Sequence, residues 1–171
     1  MCTKPPPLFN IYLSDLPNIF DNTCSPATLY DQQLNCLMFA DDIVLISETS
    51  VGLQNALDKL DRYCKEWHLT ININKTKIII FNKGGHNIKL FKFFLSNLEI
   101  ELAHSYTYLG ITFSCAGTFT LALQHLHDKA LKALHHFKQI DFRNNVKMSI
   151  NLFDALNTPI IAYSCKAWAS I

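Results

Sequence analysis

The chain has 171 residues, 49% of them hydrophobic. That is enough apolar material for one ordinary domain core, or one and a half small ones, and too much for a disordered chain. Lys and Arg number 15 against 14 Asp and Glu, so no overall basic field marks the surface for nucleic acid, and any such claim rests on local features. No apolar run approaches the ~18–20 residues of a membrane span. The N-terminal MCTKPPPLFN lacks the apolar core of a signal peptide, so the chain reads as intracellular, nuclear or cytoplasmic.

In chain order, residues 8–20 (LFNIYLSDLPNIF) carry apolar positions at helical spacing, with Pro17 near the end. Residues 21–33 are polar and turn-rich and read as a loop. LNCLMFADDIVLIS (34–47) follows, with Asp41 and Asp42 between two apolar runs; its β-branched Ile43, Val44 and Ile46 favour strand over helix. Two strands joined at Asp41–Asp42 make a hairpin, since Asp tolerates turn geometry. SVGLQNALDKLDRYCKEWHL (50–69) sets Leu53, Ala56, Leu57, Leu60, Tyr63, Cys64 and Trp67 in one helical stripe, with Ser50 placed as N-cap.

LTININKTKIIIF (69–81) alternates and then turns continuously apolar, as a partly buried strand does, and NKGGHN (82–87) reads as a turn. IKLFKFFLSNLEIEL (88–102) predicts two strands around Ser96–Asn97, and YTYLGITF (106–113) another. Residues 118–139 return to helical spacing. MSINLFDALN and PIIAYSCKAWAS predict two more helices, the second with Thr158 as N-cap and Pro159 at its first position. Cys2, Cys24, Cys36, Cys64, Cys115 and Cys165 are far apart without C-x-x-C spacing, which reads as buried free thiols rather than disulfides or zinc ligands. His125 and His127, two apart, point to different faces of a helix and make a poor metal pair.

Two adjacent carboxylates among low-dielectric side chains are costly when both are ionised. A divalent cation removes that cost, and Mg²⁺ typically takes one or two carboxylates plus substrate phosphates. The plainer reading is a hairpin turn that happens to use Asp. The long apolar flanks weigh against it, because surface hairpins normally alternate apolar and polar positions.

FADDIVLIS resembles the aromatic-Ala-Asp-Asp signature of reverse transcriptases, especially those of non-LTR (LINE-type) retrotransposons. Other segments agree in order. PLFNIYLSDLP is similar to the helix after the family's fingers–palm motif, SPLLFNLYINDLP. WHLTININKT resembles the later palm motif N-x-x-K-T, filled here by Asn72, Lys75 and Thr76. YTYLGITF resembles the primer-grip segment, and LFDALNTPIIAYSCKAW the thumb-region pattern, matched by Pro159, Tyr163 and Trp168.

The resemblance implies an α+β fold: a partial polymerase palm, an antiparallel sheet with packed helices, over residues 1–117, then an all-helical thumb-like bundle over 118–171. It implies RNA-templated DNA synthesis by two-metal nucleotidyl transfer with Mg²⁺ or Mn²⁺, on an RNA template, a DNA primer and dNTPs. Asp41 would be the metal-binding carboxylate and Asp42 its helper. Phe39 would lie near the primer end, and Lys75 near the incoming triphosphate. Leu109 and Gly110 would belong to the primer grip, where a missing side chain lets backbone approach the strand. The plain readings are a solvated strand-end lysine for Lys75 and a bulge for Gly110.

The departures carry expectations too. The family uses a further aspartate on an upstream palm strand and a Gly-rich segment before SPLLFN, whereas here Pro5, Pro6 and Pro7 stand where Ser, Pro and Leu are expected. Asp15, Asp21 and Asp31 do not replace that aspartate. The chain therefore reads as the C-terminal part of a reverse transcriptase, inactive alone, without a stably bound cation, and prone to self-association through an exposed strand edge. Three alternatives stand beside this reading. One is a non-catalytic nucleic-acid-binding remnant that uses Lys129, Lys132, His135, His136 and Lys138, recognisable by steeply salt-dependent binding. Another is a palm from an RNA-templated RNA polymerase, against which the N-x-x-K-T and YLG matches argue. The last is a functionless retroelement relic.

Overall fold

The computed structural model describes residues 7–82, 91–138, 146–163 and 165. Cys2, Trp168 and the NKGGHN turn after Asn82 lie outside the described residues. The fold is α+β: short antiparallel hairpins alternate with helices. The chain forms two compact units, one of Met1–Ile78 with Lys89–Glu101, the other of Ile79–Ile88 with Leu102–Ile171.

The first unit opens with α1 (Pro7–Tyr12), shorter than the helix predicted over 8–20. Pro17 is the reason. It lacks the N–H that would bond the Leu13 carbonyl, and it disfavours helical geometry at Leu16. Leu16 N–H donates to Leu13 O instead (3.1 Å), and the chain tightens into a 3₁₀ turn, Leu16–Ile19, with Pro17 in its first positions.

A second 3₁₀ turn, Asn22–Cys24, is capped by Asp21, whose carboxylate accepts from Thr23 N. Asp21 also pairs with Lys59 at 2.6 Å. That hydrogen-bonded ammonium and the Thr23 contacts hold its carboxyl down at about 2. The predicted loop 21–33 contains a hairpin, β1 (Ala27–Leu29) with β2 (Gln32–Leu34). Its two-residue connection, Tyr30–Asp31, takes positive φ at both positions (46° and 62°), the feature of primed hairpin turns, without the glycine that would have signalled it.

Then come β3 (Cys36–Phe39), β4 (Asp42–Leu45) and α2 (Ser50–Glu66). Thr49, not Ser50, is the N-cap, accepting from Gly52 N at 3.0 Å. The predicted stripe is the buried one: Ala56, Leu57, Leu60, Tyr63 and Cys64 are buried. Most of it packs against Leu13, Leu16, Phe20 and Cys24, while Tyr12 and Tyr63 flank Trp67 with ring centroids 5.1 and 5.7 Å away. Burying each such large apolar side chain contributes about 1.5–3 kcal/mol, which is why α2 organises this unit. The Tyr63 hydroxyl donates to Asp15 at 2.6 Å, and desolvation, reinforced by that carboxylate, pushes its pKa up.

After α2 the strand predicted over 69–81 shrinks to β5 (Lys77–Ile78), because residues 73–75 form a turn. β6 (Phe94–Leu95) and β7 (Leu98–Glu99) form the predicted hairpin about Ser96–Asn97. Gln54 on α2 holds it, its side-chain amide both donating to Phe94 O and accepting from Phe94 N (2.9 and 3.0 Å). β8 (Glu101–Leu102) follows.

In the second unit YTYLGITF is a hairpin rather than one strand: β9 (Ser105–Tyr108) pairs with β10 (Ile111–Ser114) across Leu109–Gly110. Thr112 on β10 links to Thr107 (2.9 Å) and to His125 (2.8 Å) on α3 (Thr120–Lys138). α4 (Val146–Ile161) crosses the two helices predicted after residue 148, with Pro159 inside it, so Thr158 is not an N-cap. Pro159 forfeits one helical hydrogen bond, but only Ile160 and Ile161 of α4 follow it. The helix is held by packing on α3, with the Phe137 and Phe153 rings edge-to-face at 6.0 Å. Among the described residues Cys24, Cys36, Cys64, Cys115 and Cys165 are free thiols, and no helix is long and apolar enough to cross a membrane.

Candidate active site

The β3–β4 hairpin is antiparallel, with Cys36 opposite Leu45, Leu37 opposite Val44, Met38 opposite Ile43 and Phe39 opposite Asp42. Its loop is therefore Ala40–Asp41, one residue earlier than predicted, and Asp42 is the first residue of β4. Ala40 sits at φ +53°, a left-handed conformation that costs a non-glycine residue about 1–2 kcal/mol. Opposed residues share a face of the sheet, so Asp42 lies beside Phe39, with Asp41 at the tip.

Both aspartates are exposed, which corrects the expectation of a low-dielectric setting. The reason lies in where the core is. Cys36, Met38, Ile43 and Leu45 pack inward against the first unit's core, whereas Leu37 and Phe39 on the other face stay 45% and 44% exposed. An apolar run without sequence alternation thus becomes a strand that alternates in burial, and its tip projects into solvent.

The donor set bears on a metal. Two exposed carboxylates are the oxygen ligands Mg²⁺ or Mn²⁺ accepts, the remaining positions being filled by water and substrate phosphate. Among the described residues, no group of three or more His, Cys, Asp or Glu could hold a metal ion. The pair suits the protein side of one cation and does not supply a two-cation cage.

Lys75 belongs to the same unit but to a different turn. Asn72 builds that turn. Its side chain accepts from Lys75 N (3.2 Å), and its carbonyl accepts from Lys75 N, Thr76 N and the Thr76 hydroxyl (3.1, 3.1 and 2.9 Å). N-x-x-K-T is therefore a self-capped turn that presents an exposed Lys75, a role for Asn72 that the strand reading missed although Asn favours such turns.

Leu109 and Gly110 are in the second unit. Both take positive φ, 46° and 83°. The Tyr163 hydroxyl donates to Leu109 O at 2.5 Å, and a Cβ on Gly110 would stand 3.0 Å from the Tyr163 ring. Sequence spacing gave no sign that Tyr163, 54 residues from Leu109, would meet this turn. On α3, Lys129, Lys132, His135 and His136 are exposed, and the side chain of Lys138 lies outside the described residues.

Comparison with known proteins places these elements in one context. Residues 2–113 match the family described as reverse transcriptase (RNA-dependent DNA polymerase), a span that holds the aspartate hairpin, the Asn72 turn and the Leu109–Gly110 turn. The chain is similar to a transposon-derived protein of Caenorhabditis elegans, 28% identical over 138 residues, covering 80% of the chain and 50% of that protein. It is also similar to the RNA-directed DNA polymerase from mobile element jockey of Drosophila melanogaster, 24% identical over 174 residues, covering 95% of the chain and 18% of that protein. The chain thus spans half or less of the length of these relatives. No solved structure matches it. With more than half of its residues matched and both relatives derived from mobile elements, the chain belongs to the reverse transcriptase family.

Proposed function

We propose that the chain is the late-palm and thumb-like part of a retrotransposon polymerase that copies RNA into DNA. The observation that carries this reading is the exposed hairpin tip with both carboxylates, inside the family match. Asp41 is the protein ligand for a catalytic divalent cation, and Asp42 assists it. Asp41 and Asp42 would hold such a cation, and when bound it would supply Lewis-acid chemistry that lowers the pKa of the primer 3′-hydroxyl and offsets phosphate charge. Phe39, on Asp42's face, offers an exposed ring to the primer end. Lys75 brings an ammonium to the triphosphate, where it neutralises charge or gives a proton to the leaving pyrophosphate. The Leu109–Gly110 turn meets the primer strand.

Two cations need carboxylates held on more than one strand. The 171 residues alone are therefore expected to yield no extension of a primed RNA with dNTPs and Mg²⁺ or Mn²⁺. A polypeptide joining the chain to a segment that supplies a further palm carboxylate is expected to extend it. Template-dependent product from the chain alone, lost on Asp41→Asn, overturns the first expectation. Absence of product from every joined polypeptide overturns the functional reading.

The same hairpin makes self-association the expected state of the isolated chain. Among the described residues β3–β4 is a two-stranded sheet, so each strand pairs on one side only. Residues 34–46 hold no lysine or proline to guard that edge, and free backbone N–H and C=O groups there template pairing with another chain. Sedimentation is expected to show mass rising with concentration, and hydrogen exchange to be faster at 36–45 than at 120–137. A monomer equally protected in both segments sinks this expectation.

A further inference from the structure

Two segments more than fifty residues apart meet in the second unit, and their contact has a chemical form. The Leu109 carbonyl lies in the hairpin turn between β9 and β10, where both residues take positive φ. That carbonyl accepts from the Tyr163 hydroxyl just beyond α4. The Tyr163 ring occupies the space a side chain at 110 would need: its Cε1, Oη and Cζ atoms lie 3.0, 3.1 and 3.3 Å from where a Cβ would stand. Glycine at 110 thus suits both the positive φ and the close approach of the ring.

We propose that Tyr163 is a positioning residue for the primer-strand contact: it fixes the Leu109–Gly110 turn, so the end of α4 sets how that turn presents its backbone to nucleic acid. The inference rests on the reading of the turn as a primer contact given above. A turn held only by its own two residues samples several states. A hydroxyl on one carbonyl and a ring against the adjacent glycine select one of them, and preorganisation of this kind is what makes a contact tight. The hydroxyl is the separable part, because Tyr163→Phe keeps the ring against Gly110 and removes only the donor.

The test uses the full chain with Tyr163→Phe and, as a second variant acting from the other side, Gly110→Ala. Amide exchange at 109–112 reports the turn. Affinity for a primer–template with a recessed 3′ end, against a blunt duplex of equal length, reports the primer contact. Tyr163→Phe is expected to speed exchange at the turn about tenfold, about 1.4 kcal/mol of lost protection. It is also expected to weaken recessed-end binding severalfold while blunt-duplex binding changes less than twofold. Gly110→Ala is expected to do the same more strongly. A role confined to folding would lower both affinities together, and that result overturns the proposal. Unchanged exchange in Tyr163→Phe overturns the positioning role whatever the affinities do. Faster exchange with recessed-end binding intact, or a wild-type chain that binds both duplexes alike, refutes the primer contact instead and leaves Tyr163 a structural clamp.

Discussion

Gly52→Ala is expected to destabilise the first unit by about 2–4 kcal/mol, even though alanine is the better helix former. Helix propensity alone favours Ala over Gly by about 0.5–1 kcal/mol. Against this, a Cβ at position 52 would stand 2.6 Å from the Cys24 carbonyl oxygen and 2.6 Å from Ser25 Cβ and Oγ. The carbonyl is backbone and cannot rotate away. Nor are its surroundings loose: Cys24 O accepts from the Ser47 hydroxyl (2.7 Å), Ser25 Oγ accepts from Thr49 (2.8 Å), and Ser25 O accepts from Glu48 N (2.9 Å). Relieving the clash pushes this loop off α2 and strains several of those hydrogen bonds, each contributing about 0.5–1.5 kcal/mol. The loss is a large fraction of a domain's ~5–15 kcal/mol. Urea unfolding followed by far-UV circular dichroism measures it, and a midpoint equal to or above wild type would show that the loop yields without cost.

In a full-length reverse transcriptase carrying this segment, Asp41→Asn is expected to remove synthesis to background, while Lys75→Ala slows it by about 10²–10⁴-fold. The two side chains sit on different elements of one unit, and different roles are proposed for them. Asn keeps the shape of Asp at an exposed hairpin tip, so the fold tolerates it, but a neutral amide is a far weaker ligand for a hard divalent cation. The whole Lewis-acid contribution is then lost, not a fraction of it. Lys75 projects from a turn whose geometry Asn72 maintains, so truncating its side chain removes one charge and one proton donor and leaves the backbone in place. Asp42→Asn is expected to fall between them, since Asp42 is proposed as the helper of the pair. Single-turnover primer extension with rates normalised to folded protein distinguishes these outcomes. Equal losses from Asp41→Asn and Lys75→Ala would mean that the metal and proton roles are assigned wrongly.

The elements legible before any coordinates were those whose signal is local. α2 was plain because its apolar residues recur at the helical period on one face, and that face is the one buried. The 34–47 hairpin was plain from two β-branched or apolar runs around a turn former, and Ser96–Asn97 from its turn chemistry. Four of the five ordered motifs fall inside the family match, because the spacing of short signatures survives without knowledge of packing.

The burial of the hairpin and the extent of α4 depend instead on partners distant in sequence. The apolar neighbours of Asp41 and Asp42 predict burial, but burial depends on which face of the hairpin finds a core, and that core is assembled from residues 13–24 and 56–64. Local chemistry predicts a helix start at Pro159, yet packing of α4 on α3 outweighs one missing hydrogen bond. Gly52 lies in a predicted helix and Gly110 reads locally as a bulge. Their particular requirement comes from a carbonyl at Cys24 and a ring at Tyr163. Periodicity and turn chemistry report on neighbours within about one helical turn, whereas a close approach between segments 28 or 54 residues apart leaves no periodic trace and exists only once the chain has packed.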